Sequence, residues 1–213
     1  MRMINRQQTH HYRIHHYQID GVPVRTGDIL CTRDGNASGL VGALWSAIGA
    51  LVPGEIDHCA LYIGPGGRFV EADARGVSVL SMLGNRWNSE KLLHKRLFVD
   101  TFVGVAYPLE GRRLPQRRQD RIRLSVATYC LSQAATGKRF NFNLLDATNP
   151  RRTYCSQLIV EAYRSEGIDL DSKRGTRAVP ILRRAVLPES LWQGSPHREV
   201  GGQQLPAGAR SRP

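Results

Sequence analysis

Residues 58–73, HCALYIGPGGRFVEAD, constrain the fold of this chain more than any other stretch. A period-two alternation runs on both sides of the turn signal Gly64–Gly67, which is the pattern of a β-hairpin with a tight reversal. On the first strand Cys59, Leu61 and Ile63 fall on one face, and His58, Ala60 and Tyr62 fall on the other. On the returning strand Val70 and Ala72 match the first face, while Phe69, Glu71 and Asp73 match the second. An imidazole and a carboxylate are therefore expected side by side. A carboxylate that accepts from one ring nitrogen fixes the tautomer and leaves the other nitrogen free to take a proton. Glu71 is the better candidate and Asp73 the reserve, because alternation alone sets cross-strand register no more finely than a residue pair.

The flanking segments supply further elements. GDILCTR (27–33) and GVSVLSM (76–82) read as strands, and LFVDTFVGVAY (97–107) has the β-branched and aromatic residues of another. Residues 114–136 read as a helix through Ile122, Val126, Tyr129 and Cys130, with Gly137 as its stop. The apolar stretch 37–52 reads as a packed helix, with Ser38 as N-cap and Val41, Leu44, Ile48 and Leu51 on one face. FNFNLLDATNPRR (140–152) reads as a loop; after it Leu158, Ile159, Ala162 and Tyr163 mark the buried face of a helix that Gly167 stops.

Cys155 falls in the first turn of that last helix. Unpaired backbone N–H groups and the positive end of the helix dipole favour a thiolate there, and the same amides can hold an oxyanion. Its bland alternative is a small buried apolar residue. Cys31, Cys59 and Cys130 sit in apolar strand and helix contexts and read as core. The four cysteines lack any C-x-x-C pair or zinc-type spacing, so neither a structural metal nor a disulfide framework is expected. His10, His11, His15 and His16 have no carboxylate or cysteine nearby to complete a ligand set, so they read as a solvated tail. There is no phosphate-binding glycine loop, no G-x-S-x-G elbow and no H-E-x-x-H. No cofactor is expected.

The 213 residues suit one domain, expected over 25–200 between an N-terminal arm, 1–24, mobile or a peripheral strand, and a disordered tail, 201–213. A net charge of +12 attracts anionic surfaces at long range. The arginines are scattered, without a basic heptad helix or an aromatic sheet motif for stacking bases, so no specific nucleic-acid partner is expected. Without an apolar run of signal-peptide or membrane-spanning length, a cytoplasmic location is the default expectation.

The segments GDIL, HCALYIG, RFVEADARGV and YCSQLIVEAY resemble the conserved modules of the NlpC-type papain-like cysteine hydrolases. In the standard order the cysteine helix precedes the histidine strands. Here Cys155 follows His58 by 97 positions, which resembles the circularly permuted branch, the YiiX/YaeF-like amidases, with lecithin retinol acyltransferase as a distant relative. VPILRRAVLPESLWQGSPHREV (179–200) is similar to the P-x-x-L-x-x-S stretch that follows in that branch.

The resemblance implies an α+β fold, with a small, mainly antiparallel sheet packed against the nucleophile-bearing helix. It also implies Cys155 as nucleophile, His58 as base and Glu71 as orienting acid. Tyr62, Tyr154 and Asn141 are expected to line the substrate pocket. Cys59 stands where valine is common, and Gln157 where glycine or glutamate is usual. The expected function is that of a cysteine-nucleophile hydrolase, an amidase or peptidase or a lipid acyl hydrolase or acyltransferase, working through an acyl-enzyme on a peptide or acyl-lipid substrate, with an anionic membrane surface as a further partner. The rival expectation is an inactive relative that binds an anionic lipid or other polyanion.

Overall fold

The computed structural model describes residues 13–35, 54–92, 95–96, 98–143, 149–170, 185–202 and 204–205. The predicted apolar helix over 37–52 lies outside them. The strands are β1 (His16–Ile19), β2 (Val22–Arg25), β3 (Ile29–Gly35), β4 (His58–Tyr62), β5 (Gly67–Asp73), β6 (Gly76–Met82), β7 (Val99–Ala106), β8 (Arg139–Phe140), β9 (Arg152–Thr153), β10 (His197–Glu199) and β11 (Gln204–Leu205). The helices are α1 (Ser89–Leu92), α2 (Gln116–Ala135), α3 (Cys155–Arg164) and α4 (Pro188–Gly194).

The fold is α+β. One antiparallel sheet runs in the order β11-β10-β7-β3-β4-β5-β6, so the predicted hairpin β4–β5 lies inside it rather than at an edge. The hairpin register pairs Leu61 with Val70 and Tyr62 with Phe69. Both sheet faces are covered, which is why β4 is buried at all five positions. On one face α2, α3 and α4 pack through Ile122, Val126, Leu158, Ile159, Tyr163 and Leu191 onto Ile29, Cys31, Cys59, Leu61, Val70 and Ala72. Each fully buried Leu or Ile contributes roughly 1.5–3 kcal/mol to that contact. On the other face Ala60, Tyr62, Phe69, Phe102 and Val105 meet Ile19, Val22 and Val24 of the β1–β2 hairpin.

Order extends further at both ends than the polar composition predicts. From β1 onward the arm, expected to be mobile or a peripheral strand, is a hairpin whose Ile19, Val22 and Val24 are core residues. In the segment expected to be disordered, β11 pairs with β10 and extends the sheet to Leu205. A strand needs only a free edge to pair with, and the edge of β7 supplies one for β10 despite its Gly- and Pro-rich surroundings. Gly137 and Gly167 stand at positive φ just past α2 and α3, as predicted for helix stops.

The aspartate of the GD pair anchors a helix to the sheet. Asp28 Oδ1 lies 2.6 Å from Arg123 Nη1 of α2, with both side chains fully buried. Arg123 also donates to Thr26 O, and the Tyr163 hydroxyl of α3 donates to Gly27 O.

Candidate active site

His58 opens β4, and side chains from three other segments meet its ring. Nε2 lies 3.0 Å from Glu71 Oε2 on β5. Phe98 packs edge-on with ring centroids 4.7 Å apart. Cys155, the first residue of α3, lies near enough for its charge and hydrogen bonding to act on the imidazole. His58 is 6% exposed, Cys155 5% and Glu71 1%, so the group is almost dry. With Nε2 committed to Glu71, Nδ1 is the ring nitrogen left for the thiol.

Charge follows from these contacts. A hydrogen bond from the Cys59 thiol is the largest influence on Cys155; together with the charge and hydrogen bond of His58 and the Cys59 amide, it outweighs burial and holds the thiol well below its ordinary range. Burial by itself would push the His58 imidazole down. The charge of Cys155 and hydrogen bonds to Cys155 and Glu71 overcome that and hold it well above 6.5. Both directions favour the charged pair, a thiolate beside an imidazolium, the arrangement that makes a cysteine nucleophilic at neutral pH.

The chain turns from extended to helical at the thiol. β9 pairs in parallel with β8, and Tyr154 is still extended (φ −121°, ψ 172°) while its carbonyl already accepts from Leu158 N. The residues flanking Cys155 grip one segment: the Ser156 hydroxyl donates to Val186 O at 2.7 Å, and the Tyr154 hydroxyl accepts from Val186 N at 3.0 Å. That segment leads into α4, where Glu189 Oε2 accepts from Glu55 N and Ile56 N at 3.1 and 3.0 Å, just ahead of His58. Gly54 has φ +132°, and a Cβ there would lie 2.3 Å from the Glu189 side chain, so only glycine fits without displacement. Cys155 and His58 are thus positioned through the same C-terminal segment.

Of the expected residues, Cys155, His58 and Glu71 come together. Asp73 is buried on the same face, but its Oδ1 accepts from Arg75 N, and burial followed by the Glu71 charge raises its carboxyl. Glu71, not Asp73, is the hydrogen-bond partner of His58. Tyr62 is buried in the core cluster on the opposite face, where it stacks on Tyr17 and donates to Gly66 O. Tyr154 is buried, with its hydroxyl engaged by Val186. Asn141 is buried beside β9, its amide donating to Thr153 O and its side chain accepting from Asn143 N.

Two participants escaped the sequence reading. Arg96 is completely buried; its Nε lies 3.3 Å from Glu71 Oε1, in ion-pair range though not aligned as a hydrogen bond. Its Nη1 and Nη2 fork onto Asp100 at 3.1 and 2.7 Å, and Asp100 also accepts from Trp87 Nε1 and the Ser89 hydroxyl. The Arg96 guanidinium lies over Phe98 at 3.9 Å, the same ring that packs on His58. Cys59 does point away from the face of His58, as alternation requires, but into the apolar cluster that also contains Cys155.

Among the described residues, no group of three or more His, Cys, Asp or Glu is arranged to hold a metal, and no helix is long and apolar enough to cross a membrane. A cavity of about 690 Å³ is lined by Lys138, Arg139, Arg151 and Arg152 together with Gln133, Thr136, Gly137, Asn149 and Pro150. No known protein family matches this sequence, and neither curated proteins nor solved structures include one significantly similar to it.

Proposed function

We propose that this chain is a cysteine-nucleophile hydrolase or acyltransferase of the circularly permuted papain-like type. The observation that carries this reading is the buried chain Cys155–His58–Glu71 at the start of a helix. In the proposed cycle the Cys155 thiolate attacks a substrate carbonyl, and the Cys155 N–H at the first turn of α3 donates to the developing oxyanion. His58 then gives its Nδ1 proton to the leaving amine or alcohol. The acyl-enzyme is released when the now neutral His58 takes a proton from water or another acceptor. Glu71 holds the ring by Nε2 through both protonation states, and Arg96 in turn holds Glu71.

The substrate class consistent with this chemistry is a peptide amide or an acyl ester or amide of a lipid. Alkylation of the native protein with iodoacetamide between pH 5 and 9, mapped by mass spectrometry, tests the reading. Cys155 alone should react below pH 8, because burial pushes the thiols of Cys31, Cys59 and Cys130 up. Cys155 reacting no faster than Cys31 would overturn it. A parallel screen of peptide amides and acyl lipids then separates the substrates.

The cationic cavity favours a second reading, a module that binds polyanions. In that case Cys155→Ala would leave salt-sensitive binding to anionic vesicles intact while Arg151→Ala and Arg152→Ala weaken it.

A further inference from the structure

The main sheet ends differently on its two sides. β11, at one edge, is two residues long, whereas β6, at the other, runs for seven. An exposed edge presents unpaired amides and carbonyls, and proteins ordinarily blunt it with a lysine, a proline, a bulge or a very short strand. β6 has none of these. Its sequence GVSVLSM carries no charge and no proline, and its register with β5 runs without a shift from Gly76 opposite Asp73 to Met82 opposite Gly67. The Val77 amide donates to Lys138 O rather than to β5, so alternation turns the N–H and C=O of Val79 and Ser81 to the same outer side. Among the described residues no strand pairs with that side beyond Val77.

The surroundings of this edge are apolar and cationic. Among the described residues four large apolar side chains are exposed, and two of them, Val79 and Leu83, stand here, with Leu83 80% exposed. Beside them opens a cavity of about 180 Å³, to which Met82, Leu83 and Leu92 give apolar walls and Arg86, Lys91 and Lys95 give positive charge. No carboxylate lines it; Glu90, next to Lys91 in the chain, is exposed outside the lining. Among the described residues none of the three cations has an ion-pair partner. Arg68, exposed and directly opposite Ser81 on β5, adds a further positive charge at the same end of the edge.

We propose that the free edge of β6 is a docking strand for an extended acidic peptide segment of a partner protein. The segment adds to the sheet about 4.8 Å from β6, pairing with the backbone of Val79 and Ser81. Its apolar side chains cover Val79 and Leu83, and its carboxylates meet Arg86, Lys91 and Lys95. Main-chain pairing then supplies affinity and the cationic cavity supplies specificity, as in strand addition generally. Charge decides the occupant. A second copy of this chain, pairing edge to edge, would bring the same cations and a second net charge of +12 against the first. A neutral peptide would leave the cations unmatched, and a small anion alone would leave the edge unpaired. The proposal stands apart from the reading of Cys155, since none of these residues belongs to that site.

The experiment is fluorescence anisotropy of a short labelled peptide of alternating glutamate and valine, titrated with the full chain at low salt, with sedimentation reporting the oligomeric state. The peptide should bind a monomeric chain. Its lysine-for-glutamate counterpart, and the same peptide methylated on its backbone amides, should each bind at least roughly tenfold more weakly. Ser81→Pro removes one outward N–H without touching the ladder to β5, and Lys91→Glu/Lys95→Glu reverses two of the charges; each should also weaken the glutamate peptide by roughly tenfold. Equal binding of the methylated peptide would overturn the proposal, because charge alone would then hold the ligand. Equal binding of the lysine peptide, no binding at all, or a dimer that excludes the peptide would overturn it too. Both control peptides are read on wild type, so a variant that folds poorly leaves the test standing.

Discussion

Among the described residues two arginines are buried completely, Arg96 and Arg123, and both are paired with an aspartate. Arg123 joins α2 to the sheet through Asp28; Arg96 joins the segment before β7 to Asp100 and also reaches Glu71. Burial and pairing do not distinguish them, since removing charges from water costs the same wherever it happens. The difference is what lies one contact further on. Apart from Arg123, the hydrogen bond that Asp28 accepts among the described residues comes from Arg25 N, whereas beyond Glu71 there is an imidazole and then a thiol. A buried ion pair points to chemistry only when its chain of contacts ends on a group that changes charge.

That contrast can be broken by experiment. The largest effect belongs to the groups at the end of the chain. Cys155→Ala should abolish acyl transfer, and His58→Ala should return the thiol toward its ordinary range, lowering the alkylation rate at pH 6 by at least about a hundredfold. Next come the arginines. Arg123→Met should cost about 3–5 kcal/mol in urea unfolding and leave the pH midpoint of Cys155 alkylation where it was. Arg96→Met should cost a similar amount and also shift that midpoint; if neither or both substitutions move it, the distinction fails. A smaller change is expected for Glu71→Gln, which keeps a hydrogen-bonding group but loses the charge: about a tenfold loss of alkylation at pH 6. Asp73→Asn, by contrast, should stay within about twofold, because Asp73 does not hydrogen-bond His58.

The smallest effect is a pH signature in stability. His58 is raised above 6.5 on folding and Cys155 is lowered below 9.0. Below pH 6.5 the unfolded pair binds two protons and the folded pair one, so stability from this pair rises with pH. Between 6.5 and 9.0 both states bind one proton and the contribution is flat. Above 9.0 the unfolded pair binds none, so the contribution falls as pH rises toward the folded His58 value. The slope on either side is at most about 1.4 kcal/mol per pH unit. Urea midpoints of wild type minus those of Cys155→Ala/His58→Ala should trace this plateau, and a featureless difference would contradict a charged resting pair.

Much of the site was legible because it depends on local rules. The period-two pattern placed His58 and Glu71 on one face, and the spacing of Leu158, Ile159, Ala162 and Tyr163 placed Cys155 in a first turn. Arg96 was not legible: nothing in a polar loop sequence announces that a guanidinium will fold inward between two carboxylates and an aromatic ring. Cys59 was legible in direction but not in meaning, because alternation says which face a residue takes and not what packs there. Tyr62 shows the same limit from the other side, correctly placed on the face of His58 but four residues along the strand, or about 13 Å away. β10 and β11 were missed because edge pairing depends on a distant partner strand, and their own sequence is dominated by turn formers.

The hydrogen bonds from Glu55 and Ile56 to Glu189 span more than 130 residues, and Gly54 exists in its conformation to receive that carboxylate. As the chain leaves the ribosome, the histidine strand is made first and the thiol helix much later, and the clamp that fixes both comes later still. A nascent chain therefore carries both reactive groups for a time without the geometry that pairs them. On the proposed reading, Cys155 should gain its reactivity at low pH only once α4 has docked.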